Sequence, residues 1–273
     1  MKKIAMIIMD VDGTLLNNQH QISNQTKQVL NQALQQKIPI TLASGRDIVS
    51  ISKIGRKLNL QDYSNNHYIT LNGLKTFDIE GNLISGFNGI DYEEAINISN
   101  YCKNNQLDLV YCFNRTMYTI QNGQSGYIDY HLKTMERHFV DEFNQIPKEL
   151  FAGLDKVAII QNENIINQNM EQLKNSFKDL NISRVEPYWV EMTPKGVDKG
   201  TALQKLTKDL NIDLNQCIAF GNAENDIAML QCVGHGVAMG NAFENVKSQV
   251  QYECLSNDED GIGKYLINQL TSI

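Results

Sequence analysis

The sequence predicts an α/β protein: a doubly wound, Rossmann-like parallel sheet interrupted by an inserted α+β domain. Three observations predict it. Short apolar runs alternate with helical patterns at both ends of the chain, which favours parallel strands joined by helical crossovers. Each run ends in a polar or Gly-containing turn, so these turns share one edge of the sheet. Between about residues 80 and 190 the pattern changes to short strands and a hairpin. The expected boundaries are 1–80 and 191–273 for the sheet domain and 81–190 for the insert.

The first run, Ile4 to Met9, is too short for a confident helix, and its unbroken apolarity suits a strand buried on both faces. It ends in Asp10-Val11-Asp12-Gly13-Thr14. Taken alone, that could be an ordinary Asp-Gly turn with solvated carboxylates. Ser23 is placed to cap a helix with Leu30, Ala33 and Leu34 on one face. Ile38 to Ala43 is a second strand, with Pro39 at its start, where no ladder donor is needed. It ends in Ser44-Gly45-Arg46-Asp47, and a helix with Ile51, Ile54 and Leu58 follows. Tyr68 to Leu71 is a third strand, ending in Asn72-Gly73.

In the insert, strands are expected at Leu83 to Phe87, Leu107 to Phe113, Met117 to Ile120 and Lys156 to Gln161. The second and third of these form an antiparallel hairpin across Asn114-Arg115. Helical patterns cover Tyr92 to Cys102 and Ile165 to Leu180. The alternation resumes with a helix from Lys199 to Leu210. A strand from Cys217 to Phe220 ends in Gly221-Asn222-Ala223-Glu224-Asn225-Asp226. A last strand, Gly236 to Met239, ends in Gly240-Asn241.

At 273 residues the chain can bury a substantial core. With 42% hydrophobic and 20% charged residues it is an ordinary globular composition. A formal net charge of −7 argues against a broad nucleic-acid-binding face, while leaving room for an anionic pocket built from a few local cations. The five cysteines, Cys102, Cys112, Cys217, Cys232 and Cys254, form no Cys-x-x-Cys pair. They indicate neither a disulfide framework nor a zinc site, so free thiols in a reducing cytoplasm are expected. Lys2 and Lys3 precede an apolar run that stops at Asp10, too short for a signal peptide. No segment is long and apolar enough to span a membrane, so no membrane partner is expected.

Asp10, Asp12 and Asp226 all follow the carboxyl ends of predicted parallel strands, the edge where open α/β sheets bind ligands. Hard oxygen donors in that number suit Mg²⁺, which takes one or two carboxylates plus water and phosphate. Ser44 supplies a hydroxyl near a helix start, and Lys199 a positive charge at another. Together these residues make a coherent phosphoryl-transfer site, where positioning and charge neutralisation do most of the catalysis. Each residue also has a plainer reading: Ser44 as a helix cap, Lys199 as a solvated lysine, Asp226 as a first-turn acid, and Asn72-Gly73 as a simple turn.

Four segments resemble, in order, the four motifs of the haloacid dehalogenase superfamily: Asp10-Val11-Asp12-Gly13-Thr14-Leu15, Ala43-Ser44-Gly45-Arg46, Lys195 to Leu203, and Gly221 to Leu230. Val237 to Ala242 and Ser256-Asn257-Asp258-Glu259-Asp260-Gly261 resemble its Cof-type phosphatases (subfamily IIB), which carry an α+β cap of the C2B kind. The resemblance implies that Asp10 attacks phosphorus to form an aspartyl-phosphate, and that Asp12 acts as acid and then base. Thr14 would help close the turn. Ser44 would bind a phosphoryl oxygen and Lys199 would neutralise charge. Mg²⁺ would sit on the Asp10 carboxylate, the Asp12 carbonyl and Asp226, with Asn222 standing where the commonest pattern has Asp. Gly45, Arg46, Asn72, Gly73, Asn225 and Asn241 are expected along the substrate pocket. The implied function is a Mg²⁺-dependent phosphomonoester hydrolase acting on a small phosphorylated metabolite. A sugar phosphate is the first expectation, with flavin mononucleotide or pyridoxal phosphate behind it. A sugar phosphomutase and a non-catalytic phosphometabolite sensor fit the same residues; a phospho-receiver domain fits less well, since it has no use for the insert. His131, His138, Arg137, Arg115 and Trp189 are candidate cap contacts. A monomer or small homo-oligomer is expected.

Overall fold

The computed structural model describes residues 4–113, 116–123, 125 and 136–270. They form two compact units, residues 1–86 with 198–273, and 87–197.

The first unit is built on an eight-stranded sheet. Its strands are β1 (Met6–Met9), β2 (Ile40–Ala43), β3 (His67–Thr70), β4 (Lys75–Asp78), β5 (Leu83–Gly86), β12 (Cys217–Gly221), β13 (His235–Ala238) and β14 (Tyr252–Glu253). Their spatial order is β14-β13-β12-β1-β2-β3-β4-β5. β14 through β3 run parallel, and β4 and β5 close one edge antiparallel. The chain leaves β1 toward β2 and β3 on one side and returns to β12 and β13 on the other. The switch point therefore lies between β1 and β12, and Asp10 follows β1 directly.

Alternate residues of the central strands feed opposite faces. Ile7 and Met9 of β1 join Ile218, Phe220, Ile40 and Leu42 in one cluster, covered by the helices Asn24–Gln35, Ile48–Arg56 and Gly261–Leu270. Met6, Ile8, Cys217 and Ala219 join the opposite cluster, under the helices Lys199–Asp209 and Ile227–Cys232. All four residues of β1 are fully buried. Each such side chain contributes roughly 1.5–3 kcal/mol of transfer free energy. That two-sided burial explains why β1 reads as continuous apolarity rather than alternation. Ser23 caps the first helix, accepting from the Thr26 amide at 3.1 Å.

The second unit contains a six-stranded sheet in the order β10-β11-β9-β6-β7-β8. These strands are β6 (Asp108–Phe113), β7 (Thr116–Ile120), β8 (Glu136–Val140), β9 (Leu154–Ile160), β10 (Leu180–Glu186) and β11 (Trp189–Pro194). All neighbours are antiparallel except β7 and β8. The helices Tyr92–Asn104 and Glu163–Ser176 pack on one face through Ala95, Ile98, Ile166 and Leu173. Phe113, Phe143 and Phe151 cluster there, with ring centroids near 5.1 Å for two of their pairs.

The β6–β7 hairpin forms as expected; its turn, with Arg115, and also His131, lie outside the described residues. Three expectations differ from the structure. Leu83–Gly86 pairs with Lys75–Asp78 in the large sheet, so the units divide at 86/87 and 197/198 rather than at 80/81 and 190/191. The helix expected to run to Leu180 ends at Ser176, and Leu180 opens β10. β4, β8, β10 and β11 do not stand out in the sequence: most residues of the first three are polar or half-buried, and Glu191 and Thr193 interrupt the apolar residues of β11.

Candidate active site

Each site residue leaves the large sheet at its carboxyl edge. Asp10 follows β1, Ser44 follows β2, Asn72 follows β3, and the loop after β12 carries Asn222, Asn225 and Asp226. Lys199 is the first residue of its helix, which Asp198 caps by accepting from the Thr201 amide at 2.7 Å.

The centre is a buried triad. Lys199 Nζ donates to Asp10 Oδ1 and to Asp226 Oδ1, each at 2.6 Å. Relative exposure is 0% for Lys199, 5% for Asp10 and 0% for Asp226, so these charges are out of bulk water. Two carboxylates face one ammonium. Burial, then the neighbouring Asp226 charge, pushes the Asp10 carboxyl up to about 7 against the pull of Lys199. Burial alone would lower the Lys199 amine, but the two carboxylates outweigh it and hold the amine above its ordinary value. The solvated reading of Lys199 is thereby excluded. Asp226 is anchored from behind, its Oδ2 accepting from the amides of Asn222 at 2.9 Å and Ala223 at 3.0 Å.

Asp12 lies outside this triad. Arg46 grips its carboxylate with two parallel bonds, Nε to Oδ2 at 2.8 Å and Nη2 to Oδ1 at 2.6 Å. Burial would raise the Asp12 carboxyl, but the Arg46 hydrogen bonds and charge outweigh it, and the carboxyl is held below its usual value. The sequence points to Asp12 and Arg46 separately. Their pairing joins two loops whose adjacency only the β1–β2 register creates.

Ser44 is not the helix cap: Asp47 takes that place, accepting from Ser50 at 2.8 Å. The Ser44 hydroxyl instead accepts from the Arg46 amide at 3.2 Å, and its carbonyl accepts from the Asn72 amide at 3.1 Å. Gly45 is thus held in a closed turn beside Arg46. Asn225 Nδ2 donates to Asn72 Oδ1 at 2.9 Å. Asn225 Oδ1 is buried with no hydrogen-bond partner among the described residues.

Two expected residues do different work. Asn222, expected among the metal ligands, turns its amide oxygen to the Thr14 hydroxyl at 2.8 Å. It also packs against Gly13, where an added Cβ would lie 2.6 Å from its Nδ2. Asn241, expected along the pocket, spends its amide on the loop after β1. Nδ2 donates to the Gly13 carbonyl at 2.8 Å, and Oδ1 accepts from the Asn257 amide at 3.1 Å.

The turn after β3 holds three consecutive left-handed residues, with φ of 52° at Leu71, 54° at Asn72 and 100° at Gly73. A Cβ on Gly73 would lie 2.1 Å from the Asp198 carbonyl, so this turn rests on the cap of the Lys199 helix. Gly73→Ala is therefore expected to cost roughly 1–3 kcal/mol. It should also lower turnover by shifting Lys199, as thermal unfolding and steady-state rates on one preparation would register.

Among the described residues, no three Asp, Glu, His or Cys side chains gather into a metal cage. The donor set nonetheless fits a hard divalent cation. Two carboxylates against a single lysine leave an excess of negative charge, and Mg²⁺ is commonly held by one or two carboxylates with other oxygens. Asp10, Asp226 and the Asp12 carbonyl would hold it, and the cation would supply charge neutralisation.

A family profile described as haloacid dehalogenase-like hydrolase matches residues 7–266. The chain belongs to that family. It is a Cof-type member, an enzyme of the family's phosphatase branch. It is 27% identical over 264 residues to the 5-amino-6-(5-phospho-D-ribitylamino)uracil phosphatase of Bacillus subtilis, covering 96% of this chain and 94% of that one. It is 29% identical over 273 residues to the HMP-PP phosphatase of Serratia proteamaculans, covering 96% and 94%. Among solved structures, a haloacid dehalogenase-like hydrolase from Bacteroides thetaiotaomicron superposes with a TM-score of 0.78 at 27% identity, covering 98% of this chain and 100% of that one. A subclass IIB sugar phosphatase shares the fold at a TM-score of 0.81 and 24% identity, covering 97% and 98%. No helix among the described residues is long and apolar enough to cross a membrane.

Proposed function

We propose that this chain is a Mg²⁺-dependent phosphomonoesterase working through an aspartyl-phosphate on Asp10, with a small phosphorylated metabolite, a sugar phosphate first, as substrate. The observation that carries this reading is the buried triad. Asp10 is oriented by Lys199, which also carries positive charge to where a phosphoryl group would bind. Asp10 Oδ attacks phosphorus, the bond to the leaving oxygen breaks, and the leaving alcohol takes a proton from Asp12. Asp12 then removes a proton from the water that hydrolyses the acyl phosphate. A divalent cation held by Asp10, Asp226 and the Asp12 carbonyl would offset the charge gathered at the two carboxylates.

The Arg46 pairing adds a condition. While both Asp12 oxygens accept from the guanidinium, the carboxyl is disfavoured as a proton donor. A phosphoryl dianion offers Arg46 the same bidentate geometry. Arg46 would move from Asp12 to substrate, and Asp12 would be released for proton transfer only when the site is filled. A phosphomutase would need a donor and water exclusion that no residue here demands, and a sensor would have no use for a complete Asp10–Lys199–Asp226 triad. Five cysteines with no Cys-x-x-Cys pair suit a reducing cytoplasm.

The test is a phosphate-release screen over a metabolite library with Mg²⁺, wild type against Asp10→Asn. The reading fails if the variant keeps releasing phosphate. A second result concerns the metal. Asn222→Asp preserves an acceptor for Thr14 and adds a charge beside Asp226. It is expected to lower the Mg²⁺ concentration for half-maximal activity several-fold, since about 1.4 kcal/mol of added attraction is a tenfold change.

A further inference from the structure

The loop that leaves β1 carries Asp12, and a network of five hydrogen bonds, four of them made by the loop itself, ties it to the turns at Asn241 and Asn257-Asp258 of its own unit. Two of them involve Asn241, which holds the Gly13 carbonyl and is itself held by the Asn257 amide. Asn257 Nδ2 donates to the Leu16 carbonyl at 2.9 Å from a buried position. Asp258 takes the Asn18 amide at 2.9 Å with one oxygen and the Asn18 side-chain amide with the other. Leu16 is in turn bridged to Asp12, and its amide donates to the Val11 carbonyl at 2.9 Å.

The anchoring turn is itself stiff. The Ser256 hydroxyl donates to Glu259 at 2.6 Å, and the Ser256 carbonyl accepts from the amides of Glu259 at 3.1 Å and Gly261 at 3.0 Å. Gly261 leaves no room for a Cβ, which would sit 2.0 Å from the Leu255 carbonyl. The helix that follows buries Ile262, Leu266 and Leu270 in the core.

We propose that the turn at residues 256–260 is a positioning clamp for the proton-transfer residue: Asn257 and Asp258 set the loop that places Asp12, and they act through it without touching substrate. Val11, Leu15 and Leu16 root the loop in the core, but Gly13 and residues 17–21 are only partly buried or exposed, so these hydrogen bonds fix the stretch that places Asp12. Proton transfer is sensitive to displacements of about 1 Å, which can cost up to a hundredfold. The inference rests on the acid role proposed for Asp12.

Leaving-group dependence tests it. A hexose 6-phosphate leaves as an alkoxide and needs the proton, whereas p-nitrophenyl phosphate leaves as a stable phenolate and does not. In the full chain with Mg²⁺, Asp258→Ala is expected to lower kcat/KM about tenfold or more for the hexose phosphate and no more than about threefold for p-nitrophenyl phosphate. Asp258→Asn, which keeps an acceptor for the Asn18 amide, should recover most of the loss. Asn257→Leu should behave like Asp258→Ala; because Asp258 is exposed, its variants carry the test even if Asn257→Leu fails to fold. Equal losses on both substrates, or no loss on either, would overturn the clamp. Asp12→Asn serves as reference. If it does not discriminate between the two substrates, the acid role itself is wrong and the clamp falls with it.

Discussion

Lys199→Met is expected to lower the midpoint of thermal unfolding by on the order of ten degrees and to stop turnover. The side chain is fully buried, and it alone among the triad carries positive charge. Replacing it with an isosteric apolar residue leaves Asp10 and Asp226 facing each other in a medium that solvates neither. Breaking one side of a buried ion pair costs about 3–5 kcal/mol, because the survivors keep their desolvation penalty without compensation. In a protein of this size each kcal/mol moves the midpoint by roughly 2–4 °C. The loss should be partly reversed by millimolar Mg²⁺, since the cation replaces the missing charge. Calorimetry of the variant with Mg²⁺ and with chelator separates the two. A midpoint within a degree or two of wild type in chelator would mean that the triad is not an electrostatic unit.

Asp10→Asn has the opposite signature. Phosphate release should fall by at least about a thousandfold, because an amide is no nucleophile and nothing else in the triad can take its place. The fold should be as stable as wild type in chelator, or more so. The substitution removes one of two like charges and leaves Lys199 and Asp226 matched one to one. The stabilisation that Mg²⁺ gives wild type should shrink, since a charged ligand has become neutral. Loss of activity with loss of stability would point to misfolding rather than to removal of a nucleophile. Lys199→Met and Asp10→Asn therefore bracket the triad: both inactive, one much less stable, the other not.

The candidate site divides into parts that were legible in the chain and parts that were not. Asp10, Ser44, Asn72 and Asp226 were legible because each follows a short apolar run, and parallel topology sends all such ends to one edge. The Lys199 helix was legible through its apolar stripe at Ala202, Leu203 and Leu206. The Asp12–Arg46 grip was not, since residues 34 apart meet only through the β1–β2 register. The use of Asn222 and Asn241 as braces for the loop after β1 was equally hidden. An Asn beside a loop at the sheet's carboxyl edge carries no mark saying whether its amide meets a ligand, a metal or a backbone carbonyl. The second unit was the least legible. Apolar runs marked β6, β7 and β9, but β8 and β10 carry many polar, half-buried residues, and neither alternation nor a continuous apolar run marks those.

The sequence by itself determined the class of fold, the order of the strands that carry chemistry and the residue types presented at their ends. These depend on local periodicity and turn chemistry, which are properties of consecutive residues. Tertiary structure alone decided the charge balance of the triad, the masking of Asp12 by Arg46 and the fastening of its loop by a turn some 240 residues away. Those depend on which side chains are brought within about 3 Å of one another and out of water, and no spacing along the chain encodes that.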